Sequence, residues 1–214
     1  MIYGGAKSSR QNLDLSTETL DPSATGFPIT GEAAGNAFGV SISNAGDVNK
    51  DGNAEIVIGA NNLNKVYVVY GGENNSMQNI DLAGTTLIPS TTDFTITGKA
   101  SEFFGASVSN AGDINNDGYY DIIIGAYGSN SNMGAAYVVY GAGNSDRTDI
   151  DLSSTGNYYP ETTIFSIAGD VGSGRLGVSV DFSDLTGDGF SEILIGAPAV
   201  NNEKGNAYIL PYRK

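Results

Sequence analysis

Short apolar runs alternate with polar, glycine-rich segments along the chain, and the runs follow one order that is written three times. An acid opens a β-branched run in Glu55-Ile56-Val57-Ile58, Asp121-Ile122-Ile123-Ile124 and Glu192-Ile193-Leu194-Ile195, and each run passes into Gly-Ala. A tyrosine-rich run follows, at Val66 to Gly72, Ala136 to Ala142 and Ala207 to Arg213. Another closes on glycine, from Phe27 to Gly31, Phe94 to Gly98 and Phe165 to Gly169. A last one starts at Phe38-Gly39, Phe104-Gly105 and Leu176-Gly177. Runs of this length and composition, bounded by Gly, Asn, Asp and Ser, predict β-strands. No stretch keeps a helical period over three turns, and none approaches the roughly 18 apolar residues of a membrane span. Four runs per copy at a period of roughly 70 residues predict an all-β protein of propeller blades, each of four antiparallel strands. Three blades are expected in one array, with cores at about 27–72, 93–142 and 164–213.

Between the Phe-Gly run and the β-branched run stands an acidic loop, again three times: Asp47 to Glu55, Asp113 to Asp121 and Asp184 to Glu192. Oxygen-bearing side chains fall at loop positions 1, 3, 5 and 9: Asp47, Asn49, Asp51 and Glu55; Asp113, Asn115, Asp117 and Asp121; Asp184, Thr186, Asp188 and Glu192. A hard cation such as Ca²⁺ takes about six to eight oxygen ligands in flexible geometry, and glycine at position 6 permits the sharp bend. Backbone carbonyls at position 7, from Asn53, Tyr119 and Phe190, are expected to complete the shells. An EF-hand closes its loop with Glu at position 12 between helices. Here the closing acid opens a strand, which predicts up to three calcium loops on β-hairpins. Asp, Asn and Gly also form turns without any metal. Three copies in matching register, each followed by the same strand, favour the metal. The third loop departs most: Thr186 replaces asparagine, Gly187 precedes Asp188, and the strand before it is one residue shorter. It is expected to bind more weakly.

The order Phe-Gly, calcium loop, Gly-Ala-Pro resembles the FG-GAP repeat of integrin α-subunit propellers and their relatives, over nearly the whole chain. Only the third copy keeps the proline, as Pro198, where Asn61 and Tyr127 stand in the others. The resemblance implies a seven-bladed parent, metal sites on a rim away from the ligand face, and protein or carbohydrate partners at the opposite face. It also implies an extracellular or cell-surface setting.

Composition agrees with many strands joined by turns, since 30 of the 214 residues are glycine. The formal charge of −14 argues against nucleic acid, which needs clustered Lys and Arg. Nine of the 24 acids sit in the three loops, and three bound Ca²⁺ would bring −14 to −8. The absence of His and Cys removes the commonest general base and the thiol nucleophile. Two function classes stand. One is a calcium-stabilised, non-enzymatic adhesion or recognition propeller. The other is a propeller domain of a secreted enzyme, of polysaccharide lyase or phospholipase type, with a carbohydrate-binding lectin between the two. A lectin would need exposed aromatics such as Tyr158-Tyr159. Phe-Gly, Gly-Ala and the tyrosine runs are expected to serve packing. Asn74-Asn75-Ser76 is a glycosylation sequon, and Arg147-Thr148-Asp149 resembles an adhesion tripeptide only faintly.

Leu13-Asp14-Leu15, Ile80-Asp81-Leu82 and Ile150-Asp151-Leu152 recur as linkers. Three blades complete themselves only where Phe27–Gly31 closes the last one. A ring needs about four to eight blades. The chain is therefore expected to be part of a longer propeller or to self-associate, two copies making six blades. The stub Ile2-Tyr3-Gly4-Gly5, like the end of a tyrosine-rich run, favours the longer parent.

Overall fold

The computed structural model describes residues 15–17, 19–21, 26–72, 79–84, 93–144, 147–154, 159, 163–170 and 172–211. The stub at residues 2–5, Leu13, Asp14, the sequon at 74–76, Tyr158 and the end of the last tyrosine run lie outside them. In chain order the strands are β1 (Ile29–Thr30), β2 (Phe38–Gly46), β3 (Glu55–Ala60), β4 (Lys65–Val69), β5 (Ile80–Asp81), β6 (Asp93–Thr97) and β7 (Ser107–Gly112). They continue as β8 (Asp121–Ala126), β9 (Ala135–Val139), β10 (Ile150–Asp151), β11 (Ile164–Ala168), β12 (Ser179–Ser183), β13 (Glu192–Ala197) and β14 (Asn206–Pro211). The all-β, blade-by-blade architecture expected from the runs is present. No helix among the described residues is long and apolar enough to cross a membrane.

The first blade is β2-β3-β4-β6 and the second β7-β8-β9-β11, each antiparallel throughout. The third shows β12-β13-β14 alone among the described residues. Phe27–Gly31 does not close it. Its strand β1 instead pairs in parallel with β5, Ile29 opposite Ile80. The cause is packing: Ile29 and Ile80 join Phe38, Tyr67 and Leu82 in a cluster on the first blade. The linkers are thus short strands. β10 lies parallel to β6 in the same way, Ile150 opposite Ile96, so this linker runs back to the outer strand of the first blade.

The core lies between blades. Val57, Val66 and Val68 of the first blade meet Phe104, Val108, Ile122 and Ile124 of the second. Ile123, Ala136 and Val138 of the second meet Leu176, Ile193 and Ile195 of the third. Alternation along each strand sends one set of side chains to each neighbour, and full burial of such a side chain contributes about 1.5–3 kcal/mol. The central strands approach closely enough that only glycine fits. A Cβ on Gly59 would lie 2.0 Å from the Gly105 carbonyl oxygen, and one on Gly125 would lie 2.0 Å from that of Gly177. The aromatic of Phe-Gly and the tyrosine runs serve this packing, with Phe38 on Tyr67 at 5.4 Å and Phe104 on Tyr137 at 5.3 Å, edge to face.

Candidate metal centre

A β-bulge at the end of β2 turns the chain into the first loop: the register shifts between Asn44 and Gly46, and Asn44 Oδ1 accepts from Gly46 N at 2.6 Å. Asp47 then gathers the loop. Its Oδ1 accepts from Asp51 N and its Oδ2 from Gly52 N, both at 3.0 Å. Asn49 Oδ1 also takes Asp51 N at 3.0 Å, and Asp51 Oδ1 takes Asn53 N at 2.9 Å. Glu55, the first residue of β3, is buried beneath them. It accepts from Val48 N at 2.7 Å and Gly71 N at 3.4 Å. Burial pushes its carboxyl up to about 7, and the charges of Asp51 and Asp47 add to the shift. Carboxylate oxygens of Asp47, Asp51 and Glu55 all lie within 4.8 Å of one another.

The second loop repeats this bond for bond. Asp117 N donates to Asp113 Oδ1 and Asn115 Oδ1 at 3.0 Å, Gly118 N to Asp113 Oδ2 at 2.8 Å, and Tyr119 N to Asp117 Oδ1 at 2.9 Å. Asp121 is fully buried and accepts from Ile114 N and Gly141 N, each at 2.8 Å. Burial raises its carboxyl to about 7, with Asp117 and Asp113 adding. Aspartate is one methylene shorter than glutamate, and here the trio does not draw within 4.8 Å.

The third loop keeps the acids but not the setting. Asp184 Oδ1 takes Gly187 N at 2.7 Å and Asp188 N at 3.1 Å, so Gly187 N stands in for the bond that Asn49 and Asn115 make elsewhere. Gly187 has φ +72°, where Lys50 and Asn116 are held at +61° and +59°. Glycine adopts that conformation without the strain a side chain would add. The missing residue before Asp184 is the bulge: β12 pairs with β13 without a register shift, down to Ser183 opposite Glu192. Glu192 accepts from Leu185 N at 2.8 Å. The counterpart of Gly71 and Gly141 is Tyr212, outside the described residues. Leu185 is 55% exposed, whereas its counterparts Val48 and Ile114 are both buried.

The next blade explains that burial. Tyr120 N donates to Asp47 O at 3.1 Å, Ala142 N to Val48 O at 3.0 Å, and Lys50 Nζ lies 5.3 Å from the Tyr119 ring centroid. The first loop is thereby tied to the second, while Ile114 is covered by the core shared with the third blade. The residues fit a hard divalent cation. The donors are all oxygens, the carboxylates of the first loop converge, and a buried closing acid crowded by like charges is relieved by positive charge beside it. Soft metals would want thiolate or imidazole, which the chain lacks.

Other sequence candidates fall elsewhere. Arg147 is buried over the Phe94 ring at 4.6 Å and donates to Tyr140 O at 2.7 Å, while Asp149 accepts from Thr95 N and Oγ1. That tripeptide is scaffolding. Tyr159 packs against the first core and accepts from Asp151 N at 2.8 Å, so it is no exposed lectin platform. The sequence reading missed Phe103 and Tyr127, whose rings stack at 4.8 Å with 10° between planes. They sit at the end of the second blade away from the acidic loops. Glu102 holds the stack in place, its carbonyl accepting from Gly128 N and its buried carboxylate from Ser129 Oγ and Tyr137 OH. The available signal was Tyr127 standing where the third repeat has Pro198.

Comparison with known proteins gives three matches to the FG-GAP repeat, at residues 38–69, 104–145 and 176–210. The chain is 30% identical over 84% of its length to integrin alpha pat-2 of Caenorhabditis briggsae. It is 28% identical over 78% to integrin alpha-6 of Gallus gallus. It spans 14% of the length of each of these relatives. It is also 34% identical over 43% of its length to phosphatidylinositol-glycan-specific phospholipase D of Bos taurus, and covers 11% of that protein.

Proposed function

Since the chain belongs to the FG-GAP repeat family, we propose that it is a calcium-stabilised, non-enzymatic recognition module, exposed outside the cell or at its surface. The integrin relatives support an adhesion or ligand-binding propeller of this kind. The observation that carries the calcium is the convergence of Asp47, Asp51 and Glu55 around a closing carboxylate whose burial opposes its own ionisation. Asp47, Asn49, Asp51, Glu55 and the Asn53 carbonyl would hold one ion. Asp113, Asn115, Asp117, Asp121 and the Tyr119 carbonyl would hold a second. Asp184, Thr186, Asp188, Glu192 and the Phe190 carbonyl would hold a weaker third. The ion supplies charge compensation that lets each hairpin loop keep its carboxylates together.

Partners, protein or carbohydrate, would meet the opposite ends of the blades, where the turns after β3, β8 and β13 lie. There the half-exposed Phe103–Tyr127 stack offers a rigid aromatic surface of the sort that dominates binding energies. The phospholipase relative shows that the repeat also accompanies an enzyme. The acids best placed for chemistry are taken up by the loops, so this segment would be non-catalytic there too. The test is binding of the calcium-loaded chain to arrayed extracellular matrix proteins and glycans, alongside Phe103→Ala/Tyr127→Ala. Loss of the signal in the variant at unchanged melting temperature is expected. Full retention would move recognition away from this face.

A further inference from the structure

A chain of hydrogen bonds runs from the closing acid of the first loop to that of the second. The peptide unit between Asp47 and Val48 is gripped at both ends. Its N–H, on Val48, donates to Glu55 Oε2 at 2.7 Å, and its carbonyl, on Asp47, accepts from Tyr120 N at 3.1 Å. Tyr120 stands between Tyr119 and Asp121, both named among the ligands of the second site. The next carbonyl, on Val48, accepts from Ala142 N at 3.0 Å, and Gly141 N, one residue back, donates to Asp121 Oδ1 at 2.8 Å. Glu55 and Asp121 are therefore joined through Val48 and the segment from Tyr140 to Ala142.

That segment has little freedom to move on its own. Tyr140 N donates to Thr163 O at 3.0 Å, and Tyr140 O takes Arg147 Nη2 at 2.7 Å. The Arg147 guanidinium is buried over the Phe94 ring, so it clamps the segment against the blade that carries the first loop. Space is as tight at Gly141, where a Cβ would meet Tyr120 O and lie 2.9 Å from Val48 O. A shift of the second loop thus reaches Asp47 and Val48 through bonded neighbours. Charge acts in the opposite sense, since an ion in one loop lowers the pull of the other on a cation. Asp51 and Asp117 are exposed, so salt screens that effect. The hydrogen bonds at buried Val48 are shielded from it.

We infer that the first two loops bind calcium cooperatively, with the segment from Tyr140 to Ala142 as the coupler. The inference rests on the calcium reading of both loops. Ordering the second loop fixes Asp121, and with it Gly141 and Ala142. Ala142 N and Tyr120 N then hold the Asp47–Val48 peptide where Glu55 and the first site need it. By linkage the first loop helps the second by the same factor. Asp188→Ala silences the third loop, and adding Asp117→Ala or Asp51→Ala leaves the first or the second loop to bind alone. Calorimetry of the whole chain with calcium chloride gives each single-site constant and the overall constant of the two-site protein. The overall constant should exceed the product of the single-site constants by about fivefold or more. Ala142→Pro removes the N–H that reaches Val48 but no ligand, and should abolish the excess. Where only the second loop binds, calcium should also slow amide exchange at Val48 by about fivefold, a readout that does not need the proline variant to fold. No excess, or a deficit that fades as salt rises, would overturn the inference and leave the calcium reading standing. An excess kept by folded Ala142→Pro, or unchanged exchange at Val48, would overturn it equally. No heat from either single-site protein would overturn both.

Discussion

The first two acidic loops and the third carry the same nine-residue plan, yet they sit in different surroundings. In the first two, the closing carboxylate accepts two backbone N–H bonds from separate segments, and the residue at loop position 2 is buried under a neighbouring blade. In the third the bulge is gone and Leu185 is exposed. The acids set the attraction for a cation, but the next blade decides how firmly the loop is held before the cation arrives. Preorganisation of the loops is therefore a property of the array and not of the loop sequence alone.

Removing the closing acid should separate the two settings most sharply. Asp121→Ala leaves the N–H groups of Ile114 and Gly141 without their acceptor, at about 1–3 kcal/mol each, so a loss of about 2–6 kcal/mol is expected in calcium. Glu192→Ala should cost about half as much, because its described partner, Leu185 N, opens to water. Denaturant titration of both variants measures the difference, and equal losses would break the comparison. Asp121→Asn is the milder change. It keeps one acceptor but turns its NH2 toward the other N–H, so it should destabilise the chelated protein less than Asp121→Ala while weakening calcium binding.

The third loop is expected to bind calcium about tenfold more weakly than the others, equivalent to about 1.4 kcal/mol. Calorimetry on Asp51→Ala/Asp117→Ala isolates that site. A residual heat at millimolar calcium is the expected result. None, with the protein still folded, would make the third loop a turn only.

A smaller effect should appear in pH. Glu55 and Asp121 have folded, metal-free carboxyls raised to about 7, above their ordinary values of 4.5 and 3.8. The native state then binds more protons than the unfolded chain between those values, so metal-free stability falls as pH rises from about 4 to 7 and levels off above. Denaturation in chelator from pH 4 to 8 measures the slope. Glu55→Gln with Asp121→Asn should flatten it, and calcium should abolish it in the parent.

Much of this was legible from spacing. The loops, the strand order and the packing role of Phe-Gly follow from a pattern repeated in register, and the residue missing before Asp184 marked the loop that differs. What it removes, a bulge, needed the pairing of Ser183 with Glu192 to be seen. The two-residue strands at Ile80 and Ile150 carry no periodicity, so they read as linkers. The Phe103–Tyr127 stack joins residues from two turns that no local pattern connects. The contrast between buried Val48 and exposed Leu185 depends on a neighbouring blade, which a loop's own residues cannot encode.

The most direct test is the melting curve of the whole chain at pH 7.5 in millimolar calcium and in excess chelator. Each strong site adds about 2.7 kcal/mol at a hundredfold excess over Kd. A chain of this size shifts about 2–4 °C per kcal/mol, so two such sites should raise melting by on the order of 10 °C. Superimposable curves would contradict the account, because the loops would then keep their carboxylates together without any cation.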